Sequence, residues 1–252
     1  MESLPKMKWE IRVLEDAVRL VHGDLYADKI RDPLDSFAWK TDITYFHACE
    51  SERVIKEALA STNGIKKEDP DYIAIVKAIL FSASPDRANS HILAAQFMAE
   101  AHIIASAQAL HSLFDIISSI IYWSFKLDTV PEPLSVKKLN LYSINKTLRK
   151  LPIFTVTANL IDSTISSSEF EYLNAYVNTT KHKSLISSNL SASFKADNRN
   201  GMLINGFSYT DLYTSKHTYY SCKWSYDFLF KENHSLLLKL ISIGNSLNDH
   251  LK

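Results

Sequence analysis

The chain has 252 residues, 46% of them hydrophobic, with five glycines against twelve phenylalanines and twelve tyrosines. That length and apolar share support a large core, and so little glycine points to long regular elements. Twenty-eight basic residues balance twenty-eight acidic ones, which excludes a globally basic nucleic-acid binder but leaves room for a local basic patch.

In chain order, residues 7–24 mix Trp9, Ile11, Leu14, Val18 and Val21 with charges and read as an amphipathic helix that Gly23 ends. Residues 25–40 hold a proline and read as a loop with short helical pieces. A helix is expected from Thr41 to Ser61, a stop at Asn63-Gly64, and a short helix from Asp71 to Phe81. The longest periodic segment runs from about Asp86 to Leu127, with a kink or split possible near Ser90. As one helix it would span roughly 60 Å. Proline bounds a loop at Val130–Pro133. Helices follow at 135–151 and 155–165, and then a helix capped by Ser166-Ser167-Ser168 with Glu169 and Glu171 in its first turn. After Ser187 the period changes to two. Strands are expected around 190–196, 202–209 and 217–224, with Asn198–Gly201 as a hairpin turn. Residues 226–251 return to helix. The expected fold is mainly α: a single 1–252 helical domain, a bundle with a small antiparallel β-meander (about 188–224) inserted before the C-terminal helix.

The N-terminus has no apolar signal core, and the two cysteines, Cys49 and Cys222, lack metal-type spacing. The most apolar run, Leu110–Phe125, carries His111, Asp115 and serines that would be costly in lipid. A cytoplasmic protein that does not enter a membrane is expected.

Three groups of residues carry potential chemistry. Asn174, Asn178 and His182 recur every four residues near the end of one helix, with Lys181 and Lys183 beside the histidine. An imidazole can exchange a proton near neutral pH, an amide can orient it, and ammonium groups can hold phosphate. The same residues also suit a solvated helix end, where cations favour the dipole. On the long helix, Gln96, Glu100, His111, Asp115 and Tyr122 form a polar stripe, in which His111 and Asp115 are one turn apart. They can act as an acid–base couple or as a structural pair. Lys137, Lys138, Lys146, Arg149 and Lys150 lie in a window, 133–161, that contains no acid; it reads as a phosphate-facing patch or a solvated helix face. No phosphate loop, dinucleotide fingerprint, CxxC or HExxH is present, so no cofactor is expected.

The run Val177-Asn178-Thr179-Thr180-Lys181-His182 resembles the motif of the HEPN superfamily: an arginine, a polar residue, a few more residues, then histidine at a helix end. Asn178 and His182 fall on the polar and histidine positions, and Val177 stands where the family has arginine. The resemblance covers about residues 87–185, with the 226–251 helix completing a HEPN-like core. It implies a homodimer whose motif helices meet, and a metal-independent ribonuclease where the motif is complete. His111 and Asp115 would be the polar residues facing the motif from the long helix, and Lys181 or Lys183 would stand in for the missing charge, although lysine does not reproduce a bidentate guanidinium. The expected function is an HEPN-like prokaryotic protein acting on or binding RNA, in toxin–antitoxin or antiphage defence, with an antitoxin or second defence component as partner. In the catalytic form, His182, Asn178, His111 and Asp115 do the chemistry, and Lys181, Lys183 and Asn174 bind substrate. The alternatives are a non-catalytic HEPN-like scaffold and a metal-dependent helical enzyme using His111, Asp115 and His182.

Overall fold

The computed structural model describes residues 8–60, 90–192, 200–211 and 215–252. The expected helix at 71–81, the stop at Asn63-Gly64 and part of the 198–201 turn lie outside them. Among the described residues there are seven α-helices: α1 (Ile11–His22), α2 (Asp24–Ala60), α3 (Ser90–Ser124), α4 (Leu141–Leu148), α5 (Thr155–Ile165), α6 (Ser168–His182) and α7 (Asn233–Leu251). Five short strands precede α7: β1 (Ser188–Ala192), β2 (Asn200–Ile204), β3 (Phe207–Thr210), β4 (His217–Tyr220) and β5 (Lys223–Trp224). The fold is thus mainly α with a small antiparallel insert, as the sequence pattern indicates.

Several local expectations fail. The helix expected over 135–151 shortens to α4, preceded by a separate 3-10 turn at Val136–Lys138. Residues 25–40 are not a loop; they are the first half of α2, which runs through Pro33. Proline inside a helix removes a hydrogen bond and costs about 3 kcal/mol. What offsets that cost is burial of Tyr26, Ala27, Ile30, Leu34 and Phe37, all 9% exposed or less. Their spacing of three to four residues is a helical stripe straddling the proline. Gly23 separates α1 from α2; it adopts φ +85°, and its N–H caps the Arg19 carbonyl at 2.9 Å. A left-handed conformation at a helix C-terminus is where glycine is favoured.

The chain divides into two compact units, each assembled from separate segments. The first comprises residues 1–42, 109–171 and 234–252. Its helix α3 segment is buried on nearly every side, with Leu110, Leu113, Ile117, Ile120 and Ile121 fully enclosed. Trp9 seats against α7, its indole N–H donating to Asn248 Oδ1 at 3.4 Å, while Asn248 donates to the Glu10 carbonyl at 3.2 Å. The indole lies so close to Gly244 that a Cβ there would fall 2.3 Å from a ring carbon. Buried Glu15 accepts hydrogen bonds from Arg12, Arg19 and Arg31 at 2.8–2.9 Å. Burial pushes its carboxyl upward, but the three guanidinium groups outweigh that and hold it below the usual carboxylate range. Asn140 starts α4 with a capping box shared with Ser143.

The second unit comprises residues 43–108 and 172–233. Here α3 is buried along one stripe, Ile92, Ala95, Ala99, Ile103 and Ser106. Strands β1, β2 and β5 form one antiparallel sheet in that order, registered by Leu190 opposite Met202 and Leu203 opposite Trp224. Strands β3 and β4 form a separate hairpin, with Phe207 opposite Tyr220. The expected strand 202–209 therefore breaks at Asn205-Gly206, and the expected strand 217–224 divides between two sheets. Gly206 sits at that break with the Tyr219 phenol resting on it; a Cβ would meet that oxygen at 2.3 Å. A π-helical stretch, Asp227–Glu232, leads into α7.

By length and composition α3 could cross a membrane, although 56% of its most apolar stretch is buried inside the protein.

Candidate functional site

Helix α6 carries the candidate site, and its sequence explains both its start and its polar end. Ser167 Oγ accepts the Phe170 N–H at 3.4 Å, and Glu169 and Glu171 lie in the first turn, where the dipole favours acids. Phe170, Tyr172, Leu173, Ala175, Tyr176 and Val177 are all 5% exposed or less. The Tyr172 and Tyr176 rings pack against Phe207 and Phe228 at centroid distances of 5.1–6.1 Å. Burial drives both phenols far above their ordinary range, so neither is available as an acid or base near neutral pH. The helix leaves the core after buried Thr179, and its exposed end begins at Lys181.

The polar residues sort into two kinds. The Asn178 amide donates to the Asn174 side-chain oxygen at 2.8 Å and to the Asn174 carbonyl at 2.9 Å. That pairing occupies its amide nitrogen along the helix. Lys181, His182 and Lys183 are exposed. The Lys183 ammonium sits 5.0 Å from the Tyr209 ring centroid, a cation–π contact that fastens the helix end to β3. The N–H groups of Lys183 and Ser184 both return to the Thr179 carbonyl, closing the last turn.

Val177 is fully buried. The helix turns that position into the core rather than onto an open surface.

His111 and Asp115 lie in the first compact unit, and Asn174, Asn178, Lys181, His182 and Lys183 in the second. His111 is half-buried and Asp115 exposed. The rest of the polar stripe has structural partners. Gln96 donates to the Ser188 carbonyl at 3.0 Å, and Glu100 accepts the Ser188 N–H at 3.1 Å, so the two side chains extend the edge of β1. Burial raises the Glu100 carboxyl above its ordinary value, partly countered by that hydrogen bond. Tyr122 donates to the Leu134 carbonyl at 2.8 Å.

The basic window also changes character. Arg149 is bonded to Asp162, and Lys150 to Glu132. Both acids stand one residue outside the 133–161 interval, so an acid-free window in sequence is a partly neutralised surface in space.

One pair of residues carries no sequence signal. His47 on α2 and His102 on α3, 55 residues apart, bring their Nδ1 atoms to 2.8 Å. One nitrogen must donate and the other accept, which a doubly protonated pair cannot do. Burial, then the neighbouring His102, lowers the His47 pKa, while Glu50 opposes the shift. Among the described residues no group of three or more histidines, cysteines or acids is arranged to hold a metal ion.

No protein-family model, curated protein or solved structure matches the chain.

Proposed function

We propose that this chain is a HEPN-like cytoplasmic protein that binds RNA through the exposed end of α6 without cleaving it, acting beside a second component of a toxin–antitoxin or antiphage system. The observation that carries this reading is the contrast within the motif. Lys181, His182 and Lys183 are exposed, while Val177 is sealed in the core and Asn178 is engaged with Asn174. Two ammonium groups can neutralise phosphate, but the helix C-terminus contributes a partial negative charge that opposes an anion. Binding is therefore expected to be modest and salt-sensitive, supplied by the side chains rather than by the dipole. Removing the charge that stabilises a developing phosphorane costs a ribonuclease more than it costs a binder, which favours binding over cleavage.

Fluorescence anisotropy with labelled single-stranded RNA tests the binding. The wild type should bind at low salt, and Lys181→Ala combined with Lys183→Ala should flatten the plot of log affinity against log salt by roughly 1.4, about 0.7 per lost cation. Absence of binding at low salt sinks the proposal. Expression in bacteria tests the second half. Wild type and His182→Ala should give equal growth and intact RNA; RNA fragmentation that His182→Ala abolishes would restore the catalytic reading.

A further inference from the structure

The exit of α6 meets the β3–β4 hairpin inside the second compact unit. Lys181, Lys183 and Leu185 are exposed there. Ser187, just beyond, accepts the Asn205 N–H on its carbonyl at 3.0 Å and the Asn205 side-chain amide on its hydroxyl at 2.9 Å. Four residues of chain reach at most about 14 Å, so the Lys183 backbone lies within that distance of Ser187. Gly206 follows Asn205, and the Tyr219 phenol rests on it. Tyr219 is nevertheless 67% exposed. Its cross-strand neighbour on the same face of the hairpin is exposed Ser208, too small to cover the ring.

We infer, building on RNA binding at the end of α6, that this corner selects single-stranded RNA and stacks one of its bases on Tyr219. The first argument is charge. Residues 180–192, 200–210 and 215–224 contain no acid. Unlike Arg149 and Lys150, Lys181 and Lys183 have no ion-pair partner among the described residues. Their charge is therefore open to phosphate. The second is the ring. An exposed tyrosine offers its face to any unpaired base, whereas a duplex keeps its bases stacked inside and presents mainly backbone. The third is preorganisation. A phenol already seated on a glycine loses little freedom when a base lands on it. The geometry also sets the path. The Lys183 ammonium sits 5.0 Å from the Tyr209 ring centroid, and by register Tyr209 and Tyr219 lie on opposite faces of the hairpin. The RNA strand thus crosses the hairpin at its Gly206 end, with a base on Tyr219 and neighbouring phosphates toward α6.

Fluorescence anisotropy on the full chain, with a labelled single-stranded RNA and the same sequence as a duplex, tests the inference. The wild type should bind the single strand more tightly than the duplex. Tyr219→Ala should weaken single-strand binding roughly 5- to 150-fold, the range that loss of one stacked aromatic produces. Its salt slope should match that of the wild type, because no charge is lost. Tyr219→Phe keeps the ring and should bind as the wild type does, both variants with an unchanged circular dichroism spectrum. Equal single-strand affinity of wild type and Tyr219→Ala overturns the stacking and leaves RNA binding at α6 standing. An equal loss in Tyr219→Phe overturns it too, since the hydroxyl and not the ring would then matter. Duplex bound as tightly as single strand overturns it without recourse to any variant. Failure of the wild type to bind either RNA at low salt overturns the proposed function itself, and the stacking with it.

Discussion

Placing an arginine at position 177 should damage this protein rather than activate it. Val177 is fully enclosed, between Tyr176 and half-buried Asn178 on a helix whose preceding residues are core. Val177→Ala removes two buried methyl groups and should cost about 2 kcal/mol. Val177→Arg adds volume where there is no space, which costs about 1–3 kcal/mol, and places an unpaired cation away from water, worth several more even after relaxation. The sum is on the order of 5 kcal/mol, comparable to the whole stability of many domains. Urea denaturation followed by circular dichroism, on wild type, Val177→Ala and Val177→Arg, measures the series. The expected order is wild type, then alanine, then arginine, with arginine unfolded or nearly so in the absence of urea. A Val177→Arg protein as stable as wild type would refute the reasoning, since it would mean that the guanidinium reaches solvent from this position. Ribonuclease activity in that stable variant would further show that the motif is complete but for one side chain.

Three other outcomes follow from the packing and charge of the fold. Gly244→Ala gains about 1 kcal/mol in helix propensity but drives a methyl into the Trp9 indole, which is held by Phe37 and Asn248; a net loss of about 1–2 kcal/mol is expected, seen as a lower Tm, and a stabilised variant would contradict the contact. Glu15→Gln should destabilise the protein at neutral pH, with the difference from wild type shrinking in acid. The native carboxyl lies below its ordinary range, so its contribution is full above the unfolded pKa and is lost as pH falls through the folded one; a gap that persists at low pH would rule out the charge as its source. His22, His47 and His250 are all shifted downward, chiefly by burial. The unfolded chain then binds more protons below about pH 6.5, so stability should fall as pH drops from there through the lowered values. His47→Gln should flatten that dependence, and an unchanged pH profile would count against the His47–His102 contact.

Much of the helical plan is readable from spacing, because burial follows the helical period wherever the chain is long and glycine-poor. Gly23 ends α1, α5 spans the expected 155–165, and the change to period two after Ser187 marks the strands. The failures have physical causes. Pro33 reads as a breaker, yet the stripe from Tyr26 to Phe37 outweighs it. The strand 202–209 looks continuous, yet it breaks at Asn205-Gly206, where Tyr219, a residue well downstream, rests on the glycine. At the site, spacing correctly groups Asn174 with Asn178, but it cannot tell that Val177 turns inward, since a valine fits either surface. Nor can it find His47 beside His102, where proximity is created entirely by two helices meeting. The acid-free window misleads because Glu132 and Asp162 fold back over its ends.

The division of the chain into interleaved segments has a consequence for synthesis. Trp9 is complete only when Gly244 and Asn248 reach it, 239 residues later in the case of the indole hydrogen bond. At about 5–20 residues per second, a ribosome delivers that partner tens of seconds after the tryptophan has emerged. During that interval Trp9 stands without the last helix to seat it. A nascent chain of this kind needs holding rather than early folding, and a stop codon anywhere before α7 should yield not a smaller working protein but a substrate for chaperones and proteases.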